Sequence, residues 1–277
     1  MTKLLTEQEN TMATATKSEK RKRTLYIVLT CIFLTNALLA EIIGSKIFSL
    51  EALIGTAPAQ IHLLKDFVLD FNLSAGVVLW PVVFITTDII NEYFGKEGVR
   101  KISFLTVGFI AYAFIVLWCV THLPPAQFWL DVNATDSQGN PFNMNEAFYK
   151  VFTQGLNIII GSLIAFLVGQ MVDVFTFQWF RKLTGSSKIW LRATGSTLVS
   201  QLIDSFVVLT IAFYFLGNWS FKMVMAVGII NYIYKFAIAV LTTPLIYVAH
   251  SLIDKYLGKE VAEELVEDAA KSKFFRK

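Results

Sequence analysis

The sequence predicts an all-α integral membrane protein, a bundle of about six transmembrane helices with both termini in the cytoplasm. Three observations support this prediction: an apolar composition, long apolar runs and an uneven distribution of positive charge. Hydrophobic residues make up 55% of the 277 residues and charged residues 16%, whereas a soluble domain has about 45–50% and about 25%. Such a composition favours lipid as the surrounding solvent.

Six apolar stretches are long enough to cross a bilayer, because a helix rising about 1.5 Å per residue needs about 20 residues for a core of about 30 Å. Inside lipid, backbone N–H and C=O groups must form hydrogen bonds with one another because no water is available. Apolar runs of about 20 residues do this as helices, since the strands of a membrane barrel are shorter. Removal of the first stretch as a signal peptide is an alternative, but this run is long and lacks an A-x-A cleavage pattern. The stretches are 25–47, 73–90, 102–120, 151–175, 191–216 and 223–246.

Lysine and arginine residues are concentrated in alternate loops. They cluster before the first stretch, between stretches two and three, between stretches four and five, and after the last one. Because cytoplasmic loops carry an excess of positive residues, this pattern places both termini in the cytoplasm. The clusters include Lys20, Arg21, Lys22 and Arg23, then Lys96, Arg100 and Lys101, then Arg181, Lys182, Lys188 and Arg192, and finally Lys255 and Lys259.

The chain divides into one membrane domain and two polar ends. Residues 1–23 are polar and basic and predict a disordered cytoplasmic N-terminus. Residues 24–257 form the predicted six-helix transmembrane domain, and residues 258–277 a charged cytoplasmic tail that begins as a solvated helix. The outer loop 49–72 is mostly apolar, so we expect it to pack on the bundle or lie at the membrane interface.

Polar residues inside the predicted spans are the candidates for function, since a mid-span charge costs about 2.5–3.5 kcal/mol on insertion scales and usually faces the bundle interior. Asp88, Asn91 and Glu92 share one helix face because they are spaced i, i+3 and i+4. Glu92 alone could instead reach interfacial water. In the fifth stretch, Gln201 and Asp204 follow one stripe, and Asp204 near mid-span is the leading candidate.

The fourth and sixth stretches contribute further polar residues. Gln170 and Asp173 follow a small-residue face, and Asp173 lies either inside the bundle or at the interface as a cap near Arg181. Asn231 and Lys235 are spaced i, i+4. Because Lys235 is the one cation well inside a predicted span, a structural ion pair with a buried aspartate is an alternative to substrate contact.

No motif of an intramembrane enzyme or an ATPase occurs in the sequence. Gly95-Lys96-Glu97 lacks the spacing of a P-loop, and neither H-E-x-x-H nor a serine elbow is present. We therefore expect no enzymatic activity, no metal and no cofactor. Carboxylates, amides and hydroxyls inside a bundle suit a polar, largely neutral solute, whereas an ion filter needs repeated rings of carbonyls or charges.

Motif-like segments recur from the first stretch to the last. The most specific are Leu73-Ser-Ala-Gly-Val-Val-Leu-Trp-Pro81 and Thr87-Asp88-Ile-Ile-Asn91-Glu92-Tyr-Phe-Gly95-Lys96. Gly169-Gln170-x-x-Asp173, Ser196-Thr197-Leu198 with Asp204, and Tyr234-Lys235 before Pro244 are supportive. Together they resemble the motifs of the queuosine precursor transporters, once called putative vitamin uptake proteins. The long outer loop 49–72 departs from that pattern, which leaves its role open.

This resemblance implies a multi-pass inner-membrane transporter that imports 7-cyano- or 7-aminomethyl-7-deazaguanine for queuosine in tRNA. The implied partners are the deazapurine and the lipid bilayer, with a second copy of the chain left open and no nucleic acid. A guanine-like edge presents two N–H donors, which a carboxylate accepts together, and an oxygen to which Lys, Asn or Gln donates. The expected substrate-binding residues are Asp88, Asn91, Glu92, Gln170, Gln201, Asp204, Asn231 and Lys235, and the expected proton-coupling residues are Asp88 and Asp173.

Two other functions remain open at this point, and so does the choice between proton-coupled transport and facilitated diffusion. A substrate-binding subunit of an energy-coupling-factor vitamin importer would need a flat face of small residues, for which Ala40-x-x-x-Gly44 is a weak candidate. A membrane assembly protein without transport activity would not explain so many buried ionisable groups. Transport could use the proton gradient through a buried carboxylate, or proceed by facilitated diffusion.

Overall fold

The computed structural model describes residues 2–63, 67–153, 159–184, 189–215 and 218–271. Parts of the predicted spans 151–175 and 191–216, of the loop 49–72 and of the tail 258–277, as well as Lys188, lie outside these ranges. In the described ranges the helices are α1 (Thr2–Ile43), α2 (Leu50–Ile54), α3 (Trp80–Thr121), α4 (Gln127–Val132), α5 (Met144–Thr153), α6 (Ile159–Thr184), α7 (Ile189–Leu209), α8 (Phe221–Leu257) and α9 (Lys259–Lys271). The strands are β1 (Ile47–Ser49), β2 (Ile61–Leu63), β3 (Phe67–Leu69) and β4 (Asn72–Ser74).

Five helices of the described chain are long and apolar enough to cross a membrane. Many of their large apolar side chains are exposed, Leu241 and Tyr112 among them, as expected where lipid rather than water surrounds a helix. The all-α membrane class is therefore confirmed. The five helical segments are Thr16–Ile43, Trp80–Thr121, Gly161–Thr184, Ala193–Phe215 and Phe221–Leu257.

Helix α3 is bent back on itself at Gly95. This residue has φ 66° and ψ −170°, a backbone conformation that glycine adopts without the strain of a Cβ atom. A Cβ atom built on Gly98 would lie 3.3 Å from the side chain of Ile90, although a straight helix would separate these positions by about 12 Å. The hydroxyl of Tyr26 in α1 donates to the Gly98 carbonyl at 3.0 Å. The helix axis is therefore bent sharply at this one residue.

The two arms of α3, residues 80–94 and 96–121, correspond to the predicted stretches 73–90 and 102–120. The prediction placed Asn91 and Glu92 at the end of a span, next to a basic loop. Both residues are helical, as their spacing from Asp88 predicts, and both are buried in the first arm. Tertiary packing therefore encloses polar residues that lie at the end of the predicted span.

Both polar ends of the chain differ from the prediction. Helix α1 begins at Thr2, although residues 1–23 are predicted to be disordered. Residues 2–43 contain neither glycine nor proline, so no residue there breaks a helix. The tail helix α9 is present as predicted, but it is not solvated all round. Ala262 and Ala269 are buried, and Val261, Leu265 and Val266 pack against the main core.

The outer loop forms two small antiparallel ladders, β1 with β4 and β2 with β3, and β3 contacts α8. The buried carboxylate of Glu51 organises it by accepting hydrogen bonds from the backbone N–H groups of Phe71 at 2.7 Å and Ala59 at 3.4 Å, and from the hydroxyl of Ser49 at 3.0 Å. These hydrogen bonds hold the pKa of Glu51 below its usual value, and the bond from Phe71 has the largest effect. The loop therefore packs on the bundle, one of the two expected arrangements.

Helices α6, α7 and α8 pack as antiparallel neighbours. A Cβ atom on Gly161 in α6 would lie 3.0 Å from the Cβ of Ala212, just after α7. On the other side of α7, the hydroxyls of Thr194 and Thr243 are 2.7 Å apart. These close approaches fix the register of the three helices and so determine which polar residues meet.

Candidate functional site

A polar cavity lies between the first arm of α3, α6 and α7, and we call it the central cavity. It contains about 330 Å³ of space not filled by atoms, part of it open to the surroundings. One wall is aromatic, and the other walls carry amides, hydroxyls and carboxylates. The lining residues are Trp80, Phe84, Thr87, Phe166, Gly169, Gln170, Asp173, Ser200, Gln201 and Asp204.

Helical spacing explains why these residues meet. In α7, Gln201 and Asp204 are three residues apart and therefore project from one face. In α6, Gln170 and Asp173 have the same spacing. Gly169 leaves room between the helices, since a Cβ atom there would lie 3.5 Å from the Cβ of Asp204. The two helices thus present their polar faces to one shared space.

Two acceptor oxygens of this wall, Oδ2 of Asp173 and Oε1 of Gln201, receive no hydrogen bond from the part of the chain that the structure describes. Each of these residues is only 5% exposed. The other oxygen of Asp173 accepts a hydrogen bond from Ser200 at 3.3 Å. Leaving a buried acceptor without a donor costs about 1–3 kcal/mol, so such atoms mark a place where a ligand with N–H or O–H donors would be stabilised.

The aromatic wall offers a flat surface. The rings of Trp80 and Phe84 are nearly parallel, with centroids 5.7 Å apart and planes at 20°. Phe166 also contacts Trp80, with ring centroids 6.0 Å apart and planes tilted by 42°. Aromatic rings favour offset stacking with other planar π systems. The cavity therefore combines a stacking surface with hydrogen-bond acceptors.

Asp204 forms an ion pair with Lys235 of α8, whose Nζ atom lies 2.5 Å from Oδ2. The structural pair predicted as an alternative is therefore present, and its aspartate is Asp204. Glu41 of α1 is close enough for its charge to interact with that of Asp204, and Ser162 donates to both Glu41 oxygens at 2.7 Å. Asn231, one turn before Lys235, is half-buried and lies outside the set of described residues that line the cavity.

Asp88 does not line the central cavity; it lines a second cavity, between the first arm of α3, α7 and α8. Asp88 is 3% exposed, its carboxylate bonds to Thr197, and its Oδ1 atom receives no hydrogen bond within the described ranges. The second cavity contains about 230 Å³ of unfilled space, and its lining residues are Phe84, Ile85, Asp88, Thr194, Thr197, Ala239, Thr242 and Ile246.

Asn91 and Glu92 contact protein partners beyond both cavities. The Asn91 side-chain oxygen accepts from the amide of Gln178 at 2.9 Å. A carboxylate oxygen of Glu92 lies 3.8 Å from Arg181, which also donates to the backbone carbonyl of Val266 in α9 at 2.6 Å. Glu92 is therefore enclosed by protein and does not reach interfacial water.

Sequence reasoning missed Gln178 as a partner of Asn91, and it did not pair Arg181 with Glu92. A signal was available, because Gln178 and Arg181 follow Gln170 by eight and eleven residues and so continue one broad face of α6. Asp173 is buried within α6 rather than capping it at the interface.

The first arm of α3 also contacts α8 through a compact polar cluster near the turn at Gly95. The buried Tyr93 hydroxyl donates to Asp254 at 2.6 Å and lies 2.9 Å from Nδ1 of His250. The Tyr93 ring also stacks on the His250 ring. This cluster fixes the Leu257 end of α8 against the turn.

Comparison with known proteins gives matches over most of the membrane region. The profile of the family described as "Putative vitamin uptake transporter" matches residues 74–249. A "Probable queuosine precursor transporter" of Bacillus subtilis (strain 168) is 30% identical over 201 residues, which cover 72% of this chain and 81% of that protein.

Two further relatives show a similar match. A "Probable queuosine precursor transporter" of Haemophilus influenzae is 27% identical over 183 residues, 64% of this chain and 67% of that protein. A "Queuosine precursor transporter" of Escherichia coli (strain K12) is 25% identical over 179 residues, 62% of this chain and 70% of that protein. No solved structure matches this chain significantly.

Proposed function

The chain belongs to the putative vitamin uptake transporter family, and from this premise we propose that it imports 7-cyano- or 7-aminomethyl-7-deazaguanine for the synthesis of queuosine in tRNA. It is a multi-pass membrane protein of a transporter family, and three relatives named for queuosine precursor transport support the substrate class. The resemblance inferred from the motifs is thereby confirmed at the level of the family.

The observation that carries this proposal is the pairing of free acceptors with an aromatic wall in the central cavity. A guanine-like edge carries two N–H donors, and Oδ2 of Asp173 and Oε1 of Gln201 are two buried acceptors that no donor of the described chain satisfies. The Gln170 amide can donate to the exocyclic oxygen of the base. The deazapurine ring would stack on Trp80 and Phe84, whose rings are already nearly parallel.

The remaining predicted residues take supporting roles in this proposal. Asp204 contributes to the wall of the cavity, while Lys235 neutralises its charge and holds α8 against α7. Asn231 flanks that ion pair. Asn91 and Glu92 fix the first arm of α3 through Gln178 and Arg181, so their effect on binding is indirect.

We assign energy coupling to Asp88 and Asp173. The charges of these two buried carboxylates interact, and a proton bound to either would remove their mutual repulsion. Uptake would then fall when a protonophore collapses the proton gradient. Uptake that is unaffected by a protonophore would exclude this coupling and favour facilitated diffusion.

The proposed topology has six crossings with both termini in the cytoplasm. A straight helix of the 42 residues of α3 would be about 63 Å long, about twice the hydrocarbon core. The second arm alone, residues 96–121, is about 39 Å long and can cross once. The first arm, residues 80–94, is about 22 Å long, and the 3₁₀ helix Ala75–Val78 before it adds about 8 Å, which together match one crossing. Lys96, Arg100 and Lys101 follow the turn at Gly95, as the positive-inside rule requires of a cytoplasmic end. Cysteine introduced at Lys101 should react with an impermeant thiol reagent from the cytoplasmic side, and cysteine at Gln138 from the outside.

No second function is proposed. The small-residue face that an energy-coupling partner would need is occupied within the chain itself. Ala40 is buried, and a Cβ atom on Gly76 would lie 2.6 Å from the Ala40 carbonyl oxygen.

The test is queuosine formation in a bacterial strain that cannot make the precursor. Supplied with 7-cyano-7-deazaguanine, cells that express this protein should form queuosine in tRNA, and cells without it should not. Asp173→Asn and Gln201→Ala should lower queuosine at equal protein abundance, because each removes an acceptor. Gln127→Ala, at an exposed glutamine of α4, is the matched control. Queuosine levels independent of the protein would end the proposal.

A further inference from the structure

The central and second cavities meet at one side chain. Among the described residues, Phe84 alone lines both. It lies in the first arm of α3, one turn after Trp80 and one turn before Asp88. Its ring stacks on Trp80 toward the central cavity, while Asp88 belongs to the second. The phenyl ring therefore separates the two spaces.

The two cavities lie at different depths in the bundle. In α7, the second cavity is lined by Thr194 and Thr197, and the central cavity by the next polar residues, Ser200, Gln201 and Asp204. The nearest lining residues of the two cavities are therefore only about 5 Å apart along the helix. In the antiparallel helix α8, Thr243 contacts Thr194 and Lys235 contacts Asp204. The displacement thus has the same direction on both helices, toward the end where α8 meets α9.

Each cavity contains a buried acceptor of the same kind. Oδ2 of Asp173 and Oε1 of Gln201 serve the central cavity, and Oδ1 of Asp88 serves the second; none of them receives a donor from the described part of the chain. Thr194, Thr197 and Thr242 add hydroxyl groups to the second cavity. The two spaces therefore offer similar chemistry to a solute that carries N–H donors.

We propose that the second cavity is a second binding station, and that Phe84 is the partition between the two stations. The solute is a planar, N–H-donating heterocycle that leaves Asp173 and Gln201 and passes to Asp88 when the Phe84 side chain rotates. The identity of the solute rests on the proposed function and the side from which each station opens rests on the proposed topology, whereas the partition itself depends on the geometry of the bundle.

The partition works through the size of one ring. An aromatic side chain moves between staggered χ1 wells without any change in the backbone, so rotation of Phe84 joins the two spaces and its return separates them. Alanine at this position would leave them joined. Tyrosine keeps the ring and should keep the partition.

The first experiment measures access to each station by thiol labelling in right-side-out and inside-out vesicles. Because Cys31 and Cys119 are exposed, both are first replaced by serine. Ser200→Cys then reports on the central cavity and Thr194→Cys on the second. A small impermeant methanethiosulfonate should label Ser200→Cys from the outer face and Thr194→Cys from the cytoplasmic face.

Adding Phe84→Ala should make each of these cysteines reactive from both faces, and adding Phe84→Tyr should leave each reactive from one. Labelling of Thr194→Cys from the outer face while Phe84 is intact would overturn the partition, as would an unchanged sidedness in Phe84→Ala. If Phe84→Ala fails to fold, the sidedness of labelling measured with Phe84 in place still tests the partition. This assay uses no substrate, so its result does not depend on the proposed function. If the labelling is as expected but the protein does not take up the precursor, the proposed function is rejected and the partition is retained.

The second experiment separates the stations kinetically. Asp173→Asn should raise the KM for uptake of 7-cyano-7-deazaguanine about tenfold or more, because entry binding is weakened. Asp88→Asn should lower the maximal rate by a similar factor and leave KM within about twofold, because transfer is slowed after binding. A KM for Asp88→Asn that rises as it does for Asp173→Asn would mean a single station.

Discussion

The Nζ atom of Lys235 lies 2.5 Å from Oδ2 of Asp204, and this pair joins α8 to α7 at the wall of the central cavity. Their side chains are 16% and 22% exposed, so water screens the pair only in part. The pair explains how a lysine and an aspartate can both lie well inside membrane-spanning helices, because each compensates the charge of the other.

Removing one charge of this pair should be more harmful to folding than removing both. Asp204→Asn leaves the Lys235 ammonium uncompensated, and we expect a loss of about 3 kcal/mol in stability. The double variant Asp204→Asn/Lys235→Met should recover most of that loss, measured as thermal unfolding in detergent. Uptake should remain low in the double variant because Asp204 also lines the cavity. Full uptake by Asp204→Asn would remove this carboxylate from the site.

The close packing of α6 on α7 predicts different outcomes at two glycines of the same helix. Gly161→Ala places a methyl group 3.0 Å from the Ala212 Cβ and 3.1 Å from its backbone nitrogen, and overpacking of this kind costs about 1–3 kcal/mol. Gly169→Ala meets its nearest neighbour, the Asp204 Cβ, at 3.5 Å, which is an ordinary contact. We expect a lower Tm for Gly161→Ala and little change for Gly169→Ala. Equal Tm values would contradict this packing.

Arg181 should be needed to hold the C-terminal helix α9 in place. It donates to the Val266 carbonyl at 2.6 Å and lies 3.8 Å from Glu92, and the two charged side chains are only 10% and 4% exposed. Arg181→Ala should destabilise the protein by about 3–5 kcal/mol, as expected for a buried pair that loses one partner. It should also make α9 an early site of proteolysis. Lys182→Ala, at the exposed neighbouring position, is the control. If α9 resists proteolysis equally in both variants, Arg181 does not hold α9 in place.

The outer loop should loosen in acid because of Glu51. The hydrogen bonds from Phe71 and its neighbours hold the pKa of Glu51 below its usual value. The carboxylate therefore stabilises the loop fully above the unfolded pKa of about 4.3, and the contribution is lost as the pH falls through the lower folded pKa. In hydrogen–deuterium exchange at pH 7, Glu51→Gln should exchange faster than the parent in segments 49–63 and 67–72, and the difference should vanish in strong acid.

A matched variant checks this assignment. Glu146→Gln removes a carboxylate of α5 that pairs with Lys150, outside the loop. Loop exchange equal to that of the parent is expected for Glu146→Gln. Equal exchange in Glu51→Gln at pH 7 would show that other contacts order the loop.

The membrane class and the positions of most helices could be predicted because they depend on local hydrophobicity, which the sequence displays directly. The turn in α3 could not be predicted in the same way. Chain reversals usually need several polar residues, and here one glycine with a positive φ is sufficient while Asn91 and Glu92 beside it stay helical. The candidate residues were found one helix at a time, from their polarity inside apolar runs.

The grouping of those residues depends on tertiary packing, and periodicity within one helix does not reveal it. The sequence predicts one substrate site for Asp88 and Asp204, with Asp204 as the leading candidate, yet the two residues line different cavities. Asp88 of α3 lies with Thr194 and Thr197, which precede Asp204 in α7 by about two to three turns. The partner of Lys235 was correctly limited to the buried aspartates, but only the register of α7 against α8 selects Asp204. The spacing from Gln170 indicates that Gln178 lies on the polar face of α6, but its bond to Asn91 depends on how α6 packs against α3.

The reversal at Gly95 also has a consequence for biosynthesis. The first arm of α3 carries Asp88 and Glu92, so its transfer from the translocon into lipid on its own would be unfavourable. Its second arm, residues 96–121, is apolar beyond the turn and packs into the same core. We therefore expect the two arms to enter the membrane together as a helical hairpin. Ribosome-bound chains that expose only the first arm should remain extractable, and integration should follow once the second has emerged.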